Sequence, residues 1–177
     1  MMTKKTQPAG DRPSQHRFLI LMRHAKSDWN DQSLSDHDRP LNHRGIRDAP
    51  RMAHWLADAD LIPDVILSSS SVRTRETVAL MVDQWSIEPT IAFSETLYLA
   101  TPEAILKTVR SDACDARRLM VVAHNPGMTH LAGSFSDQIV DMPTSAIAVF
   151  QLPKIDWSEL QSSTPMSLVH FMRPKAL

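Results

Sequence analysis

The stretch FLILMRH, residues 18–24, joins a run of apolar residues directly to an arginine and a histidine. Five consecutive apolar side chains without polar alternation are typical of a strand that is covered on both faces of its sheet. Two further runs have the same character, at residues 65–67 (VIL) and 119–123 (LMVVA). We therefore expect three buried strands at the centre of the fold.

Helical patterns lie between and around these runs. Apolar residues at spacings of three and four predict helices over residues 41–59, 72–85 and 102–109. Pro50 lies inside the first pattern, so we expect that helix either to be kinked or to begin later than Asn42.

Two C-terminal segments, residues 146–152 and 167–172, are apolar enough for two further strands. A hairpin between them would make the sheet mixed. The alternation of strands and helices in the rest of the chain predicts an α/β fold with a mainly parallel sheet and right-handed crossovers.

Length and composition restrict the classes of protein that remain. The 177 residues favour one domain, and we expect it over residues 17–177, preceded by a flexible polar tail over residues 1–16. A net charge of −1 gives no support for nucleic-acid binding. No apolar run approaches the roughly 18 residues of a membrane span, so no membrane partner is expected. Cys114 is the only cysteine, which favours a cytoplasmic protein without disulfides.

The residues that follow the three buried runs carry the chemistry. Arg23 and His24 follow the first run, the serines of residues 68–71 lead to Arg73 after the second, and His124 follows the third. Ligands of open parallel sheets bind at the carboxyl ends of the strands, where these side chains would converge. Arginine binds phosphate with two parallel hydrogen bonds, and histidine can attack phosphorus. The set therefore predicts phosphoryl transfer.

Taken singly, each of these residues has an ordinary structural explanation as a strand-end ion pair, a core histidine or an exposed helix arginine. The prediction depends on their joint arrangement after three buried strands. The other histidines show no metal-ligand spacing, and the sequence has neither a GxxxxGK[ST] nor a GxGxxG motif. We therefore expect neither a metal nor a nucleotide cofactor.

Four segments resemble, in order, the motifs of the histidine phosphatase superfamily, and the resemblance runs from about residue 17 to 152, which is most of the chain. They are LMRHAKSDWN (21–30), LNHRGIRDA (41–49), SSSSVRTRET (68–77) and VVAHNPGM (121–128). The resemblance implies a three-layer α/β/α sandwich of the phosphoglycerate mutase-like type.

The resemblance also implies roles for four residues. His24 would be the phosphorylated nucleophile, attacking as a neutral imidazole, and Arg23, Arg73 and a protonated His124 would hold the phosphate oxygens without a metal. Ala25 stands where the superfamily usually has glycine, which is acceptable if its φ is negative.

Two segments resemble the SixA-type phosphohistidine phosphatases more closely, RPLNHRG (39–45) and PTSAIAVFQL (143–152). This resemblance implies a protein that bears phosphohistidine as the substrate. Two other functions stay open: a phosphatase of small phosphate esters with the same chemistry, and a non-catalytic phosphate-binding module.

Three further candidates complete the predicted site. Glu95 is a candidate general acid by its position, or an exposed loop carboxylate. Asn30 stands where mutase-like members place an asparagine that contacts phosphate. Arg39 is a candidate for phosphate binding, or for an ion pair with Asp36 or Asp38.

Overall fold

The computed structural model of the chain describes residues 16–136 and 140–177. The tail that we expect over residues 1–16 lies outside the described residues, apart from His16. None of the helices in the described part of the chain is long and apolar enough to cross a membrane. In chain order, the strands and α-helices are β1 (Phe18–Arg23), α1 (His43–Asp58), β2 (Val65–Ser69), α2 (Val72–Val82), β3 (Thr90–Ser94), α3 (Pro102–Asp112), β4 (Arg118–Ala123), α4 (Gly127–Ser134), β5 (Ile147–Gln151) and β6 (Ser167–Met172).

The strands form one mixed sheet in the order β3-β2-β4-β1-β5-β6. The first four strands of this order are parallel to one another, while β5 is antiparallel to β1 and β6 is antiparallel to β5. In the register of the central pair, Leu21 of β1 lies beside Val121 of β4. The mainly parallel α/β sheet and its antiparallel C-terminal pair are as predicted.

The side chains of β1 alternate between two separate hydrophobic cores. Leu19 and Leu21 pack on the face that α3 and α4 cover. Ile20 and Met22 pack on the opposite face, which α1 and α2 cover. All four side chains are fully buried, because helices cover both faces of the strand. This arrangement is the predicted three-layer α/β/α sandwich.

The first helix begins at His43, later than Asn42, which was one of the two expected outcomes for this helix. The Asn42 side chain caps it by accepting a hydrogen bond from the backbone N–H of Gly45. Pro50 lies inside the helix. At Gly45, a Cβ atom would collide with the backbone oxygen of Lys26, so glycine allows α1 to approach the loop that follows β1.

Two elements were not expected from the sequence, β3 and α4. Strand β3 lies at the edge of the sheet, where Thr90 and Phe93 are exposed and no buried apolar run forms. Helix α4 has only eight residues, and Gly133 weakens its helical pattern. In addition, α2 ends at Val82, three residues before the end of the predicted helix.

Candidate active site

His24 lies directly after β1 and is 7% exposed. Its Nδ1 is 2.7 Å from the backbone oxygen of Ala25. Because a carbonyl oxygen only accepts, Nδ1 carries the proton and Nε2 keeps its lone pair. Burial and the charges of Arg73 and Arg23 lower the pKa of His24 to about 4. The ring is therefore a neutral nucleophile at pH 7.

Ala25 fits the backbone at the position where glycine was the expected residue. It is not among the described residues that have a positive φ, and its side chain is fully buried. Its N–H donates to the hydroxyl of Thr77 (3.1 Å), and this hydroxyl donates to the backbone oxygen of Arg73 (2.6 Å). These bonds fix the loop of His24 against the first turns of α2.

Arg73 lies between the two histidines and is 4% exposed. Its Nε donates towards Nε2 of His24 (3.4 Å), and its Nη2 donates to Nδ1 of His124 (3.1 Å). The two imidazole rings are 5.0 Å apart, measured between their centroids. The Arg73 guanidinium thus holds the two imidazole rings next to each other in the same cleft.

The hydrogen bonds of His124 define a neutral ring. Nδ1 accepts from Arg73, so the ring proton lies on Nε2, which is 2.8 Å from the hydroxyl oxygen of Ser69. Burial and the charges of His24 and Arg73 lower the pKa of His124 to about 3. In this structure His124 is therefore neutral, whereas the predicted protonated His124 concerns the ring beside a bound phosphate and stays a prediction. A phosphate dianion beside the ring would raise its pKa, because an opposite charge favours the imidazolium.

Arg23 offers an unused hydrogen-bond donor. Its Nη1 donates to the backbone oxygen of Met142 (3.1 Å), while its buried Nε has no acceptor among the described residues. Burial lowers the pKa of Arg23, and the charge of Asp141 acts in the opposite direction. A buried donor without an acceptor is costly unless a ligand supplies one, and a phosphate oxygen would do so.

One cleft of about 230 Å³ is lined by all four residues that the sequence places after the three buried strands: Arg23, His24, Arg73 and His124. Lys26 and Asp36 line it as well. Three cationic side chains therefore face one carboxylate, which makes the cleft attractive to an anion. No group of three potential metal ligands occurs within residues 16–136 and 140–177.

Asp36 and Tyr98 belong to the site but were not predicted as site residues. One Asp36 carboxylate oxygen accepts from Nη2 of Arg73 (2.9 Å) and from the hydroxyl of Tyr98 (2.7 Å). The backbone oxygen of Asp36 also accepts from Nη1 of Arg73. Partial burial raises the pKa of Asp36, but the Tyr98 hydrogen bond and the Arg73 charge outweigh it, so the net direction is downward. Asp36 is thus an ionised carboxylate that holds Arg73.

Glu95 does not line the cleft. It lies in a 3₁₀ turn after β3, its side chain is 75% exposed, and its carboxylate is 3.6 Å from Nε2 of His37. Of its two predicted descriptions, the exposed loop carboxylate fits this position.

Asn30 and Arg39 also lie outside the residues that line the cleft. Asn30 is exposed, and its backbone N–H donates to the carboxylate of Asp28 (2.8 Å). Arg39 forms no ion pair with Asp36 or Asp38 among the described residues. Its guanidinium instead packs on the ring of Trp29, 3.6 Å from the ring centroid.

Comparisons with known proteins agree with this geometry. The profile of the histidine phosphatase superfamily (branch 1) matches residues 19–97. An uncharacterized chloroplastic protein of Arabidopsis thaliana is 34% identical over 152 residues, which cover 81% of this chain and 70% of that protein.

Two solved structures extend the comparison. SixA of Agrobacterium tumefaciens, assigned as a phosphohistidine phosphatase, is 27% identical, with a TM-score of 0.76 over 89% of this chain and 98% of that one. A protein histidine phosphatase SixA in complex with tungstate is 20% identical and shares the fold, with a TM-score of 0.75 over 90% and 98% of the two chains.

The site places two histidines and two arginines at the carboxyl ends of the strands of a phosphoglycerate mutase-like fold. Together with the family match and the SixA-type neighbours, this site defines a phosphatase of the hydrolase class. The chain belongs to the histidine phosphatase superfamily, and the solved structures that it resembles include SixA-type proteins.

Proposed function

We propose that the chain is a protein phosphohistidine phosphatase that works through a phosphorylated His24. The observation that supports this substrate is the lack of a positioned general acid in the described part of the cleft. Asp36 is the only carboxylate among the described residues that line it, and Arg73 and Tyr98 hold it in the ionised form. An alkyl phosphate needs a proton donor for its alkoxide, worth roughly a hundredfold or more in rate. In phosphohistidine, solvent can protonate the ring nitrogen that does not carry phosphorus, since a histidine ring has an ordinary pKa of about 6.5. The ring can then leave as neutral imidazole without an enzymatic acid.

In the first step, Nε2 of neutral His24 attacks phosphorus. The P–N bond of the substrate breaks, its electron pair stays on the substrate nitrogen, and the substrate ring takes up a proton from solvent. The phosphoryl group is then bonded to Nε2 of His24. Arg23 holds its oxygens with the Nε–H that has no other acceptor among the described residues, and Arg73 does so with the Nε–H that points to His24.

In the second step, a water molecule attacks the phosphorus of phosphorylated His24. The bond between phosphorus and Nε2 breaks, and its electron pair returns to the ring nitrogen. The proton of the water passes to solvent, and inorganic phosphate leaves. The hydrogen bond from Nδ1 to the backbone oxygen of Ala25 keeps the same ring nitrogen available for the next cycle.

The substrate is tested by comparing kcat/KM for a phosphohistidine peptide with kcat/KM for a simple alkyl phosphate. We expect the wild type to prefer the peptide and Glu95→Gln to keep most of that activity, because Glu95 is exposed and does not line the cleft. If the wild type prefers the alkyl ester and Glu95→Gln loses more than about a hundredfold, the chain is instead a phosphatase of small esters.

A further inference from the structure

The cleft that contains His24 is also lined by two exposed apolar side chains, those of Trp29 and Leu99. Trp29 is 60% exposed and Leu99 is 54% exposed. They come from different parts of the chain, Trp29 from the loop after β1 and Leu99 from the segment between β3 and α3. Large apolar groups at the mouth of a charged cleft offer a surface for an apolar part of the ligand.

Trp29 is held in place on its protein side. Its indole N–H donates to the hydroxyl of Ser27 (3.1 Å). The guanidinium of Arg39 covers one face of the ring. The residue is nevertheless 60% exposed, so much of its surface stays open to solvent and to a ligand.

The support of Trp29 has a cost. Nε and Nη1 of Arg39 are buried and have no acceptor among the described residues. Leu99 adopts a φ of 47°, in the left-handed region that branched side chains rarely occupy. Two unfavourable features thus present apolar surface at the same cleft, which indicates a functional rather than a packing role.

The direction of the reaction carries the leaving group away from the buried His24. Nucleophile, phosphorus and leaving group lie roughly in line during phosphoryl transfer. His24 is 7% exposed and lies in the buried part of the cleft, so the leaving group departs towards the open side. Trp29 and Leu99, which line the cleft and are exposed, are therefore available to contact the leaving group of the substrate.

We propose that Trp29, with Leu99, forms a subsite for a planar leaving group, on which the imidazole ring of the substrate stacks while His24 attacks phosphorus. The inference rests on the proposed function, because phosphohistidine supplies such a ring. Trp29 then selects substrates by their leaving group, whereas the arginines bind the phosphoryl group common to all of them.

The test uses two substrates that share a P–N bond, a phosphohistidine peptide and phosphoramidate, which has no ring. Trp29→Leu removes the aromatic face and keeps an apolar side chain, while Trp29→Phe keeps an aromatic face. Ile87→Ala is the matched control, since Ile87 is also 60% exposed but lies before β3, at the amino end of the sheet.

We expect Trp29→Leu to lower kcat/KM about tenfold for the peptide and less than about twofold for phosphoramidate, as the loss of one stacking contact implies. Trp29→Phe should stay within about threefold of the wild type on the peptide, and Ile87→Ala should change neither substrate. An equal loss on both substrates, or no loss on either, overturns the subsite.

A wild type that hydrolyses no phosphohistidine overturns the proposed function but not the subsite. In that case, the loss of kcat/KM caused by Trp29→Leu is measured with an aryl phosphate and with an alkyl phosphate. The subsite requires Trp29→Leu to lower kcat/KM selectively for the aryl ester, and it is wrong if both esters respond alike.

Discussion

Acidification should destabilise the folded chain in a pH range that the two buried histidines define. In the unfolded chain, a histidine titrates near pH 6.5. In the folded chain, burial and neighbouring positive charges lower the pKa of His24 to about 4 and that of His124 to about 3. Between these limits the unfolded state binds more protons than the folded state. The free energy of unfolding therefore falls as the pH decreases from about 6.5 towards 4.

The size of the effect follows from the pKa difference. From pH 6.5 to about 4, at about 1.4 kcal/mol for each tenfold change in proton affinity, His24 alone accounts for about 3 kcal/mol. His124 acts in the same direction. Its pKa is lowered partly by the charge of His24, so the two contributions overlap and are not summed. A loss of this size is a substantial fraction of the stability of an ordinary domain.

The assay is urea unfolding at several pH values between 7 and 4, with wild type, His24→Gln and His54→Gln. His54 is an exposed histidine of α1, so its variant is the matched control. All three proteins share the same carboxylates, and the difference between them isolates the buried histidine. We expect His24→Gln to lose about 3 kcal/mol less than the other two on acidification. Equal losses in all three proteins would refute the argument.

Three other predictions concern the cleft. Asp36→Asn removes the carboxylate that holds Arg73, and we expect kcat/KM to fall between about tenfold and a hundredfold; unchanged kinetics would contradict this role. Arg73→Lys should weaken tungstate binding in calorimetry, since lysine lacks the forked donors of arginine, and an unaltered Kd would argue against a direct contact. Exhaustive chelation should leave turnover intact, because the described residues hold no group of three potential metal ligands. A loss of turnover that a divalent ion restores would contradict this metal-independent mechanism.

The buried strands could be predicted from the sequence almost to the residue. β1 and β4 are covered on both faces, and their apolar runs report that burial directly. The edge strand β3 could not be predicted in the same way, because most of its side chains are exposed. Periodicity detects the burial of a segment rather than its hydrogen bonding, and an edge strand shows little burial.

The candidate site divides along the same line. His24, Arg73 and His124 follow neighbouring parallel strands, so strand order alone brings them to one edge of the sheet. Asp36 and Trp29 lie in the long connection between β1 and α1, where no periodic pattern fixes the path of the chain. No signal in the sequence distinguishes Asp36 from the neighbouring Asp38 as the partner of Arg73.

The neutral state of His124 in this structure could not be predicted from the sequence for a different reason. Its pKa depends on burial first, and then on the charges of His24 and Arg73, which lie close only in the folded chain. The residue type sets the ordinary pKa near 6.5, and the three-dimensional surroundings set the departure from it.

The most direct test of the proposed mechanism is to trap the phosphorylated enzyme. Wild type is mixed with a phosphohistidine peptide and quenched in base during turnover, and the phosphorylated residue is located by peptide mass mapping. We expect a base-stable, acid-labile phosphoryl group on His24, and we expect His24→Ala to show neither this group nor turnover while keeping its fold. Turnover by His24→Ala, or a phosphoryl group on a different residue, would contradict the assignment of His24 as the nucleophile.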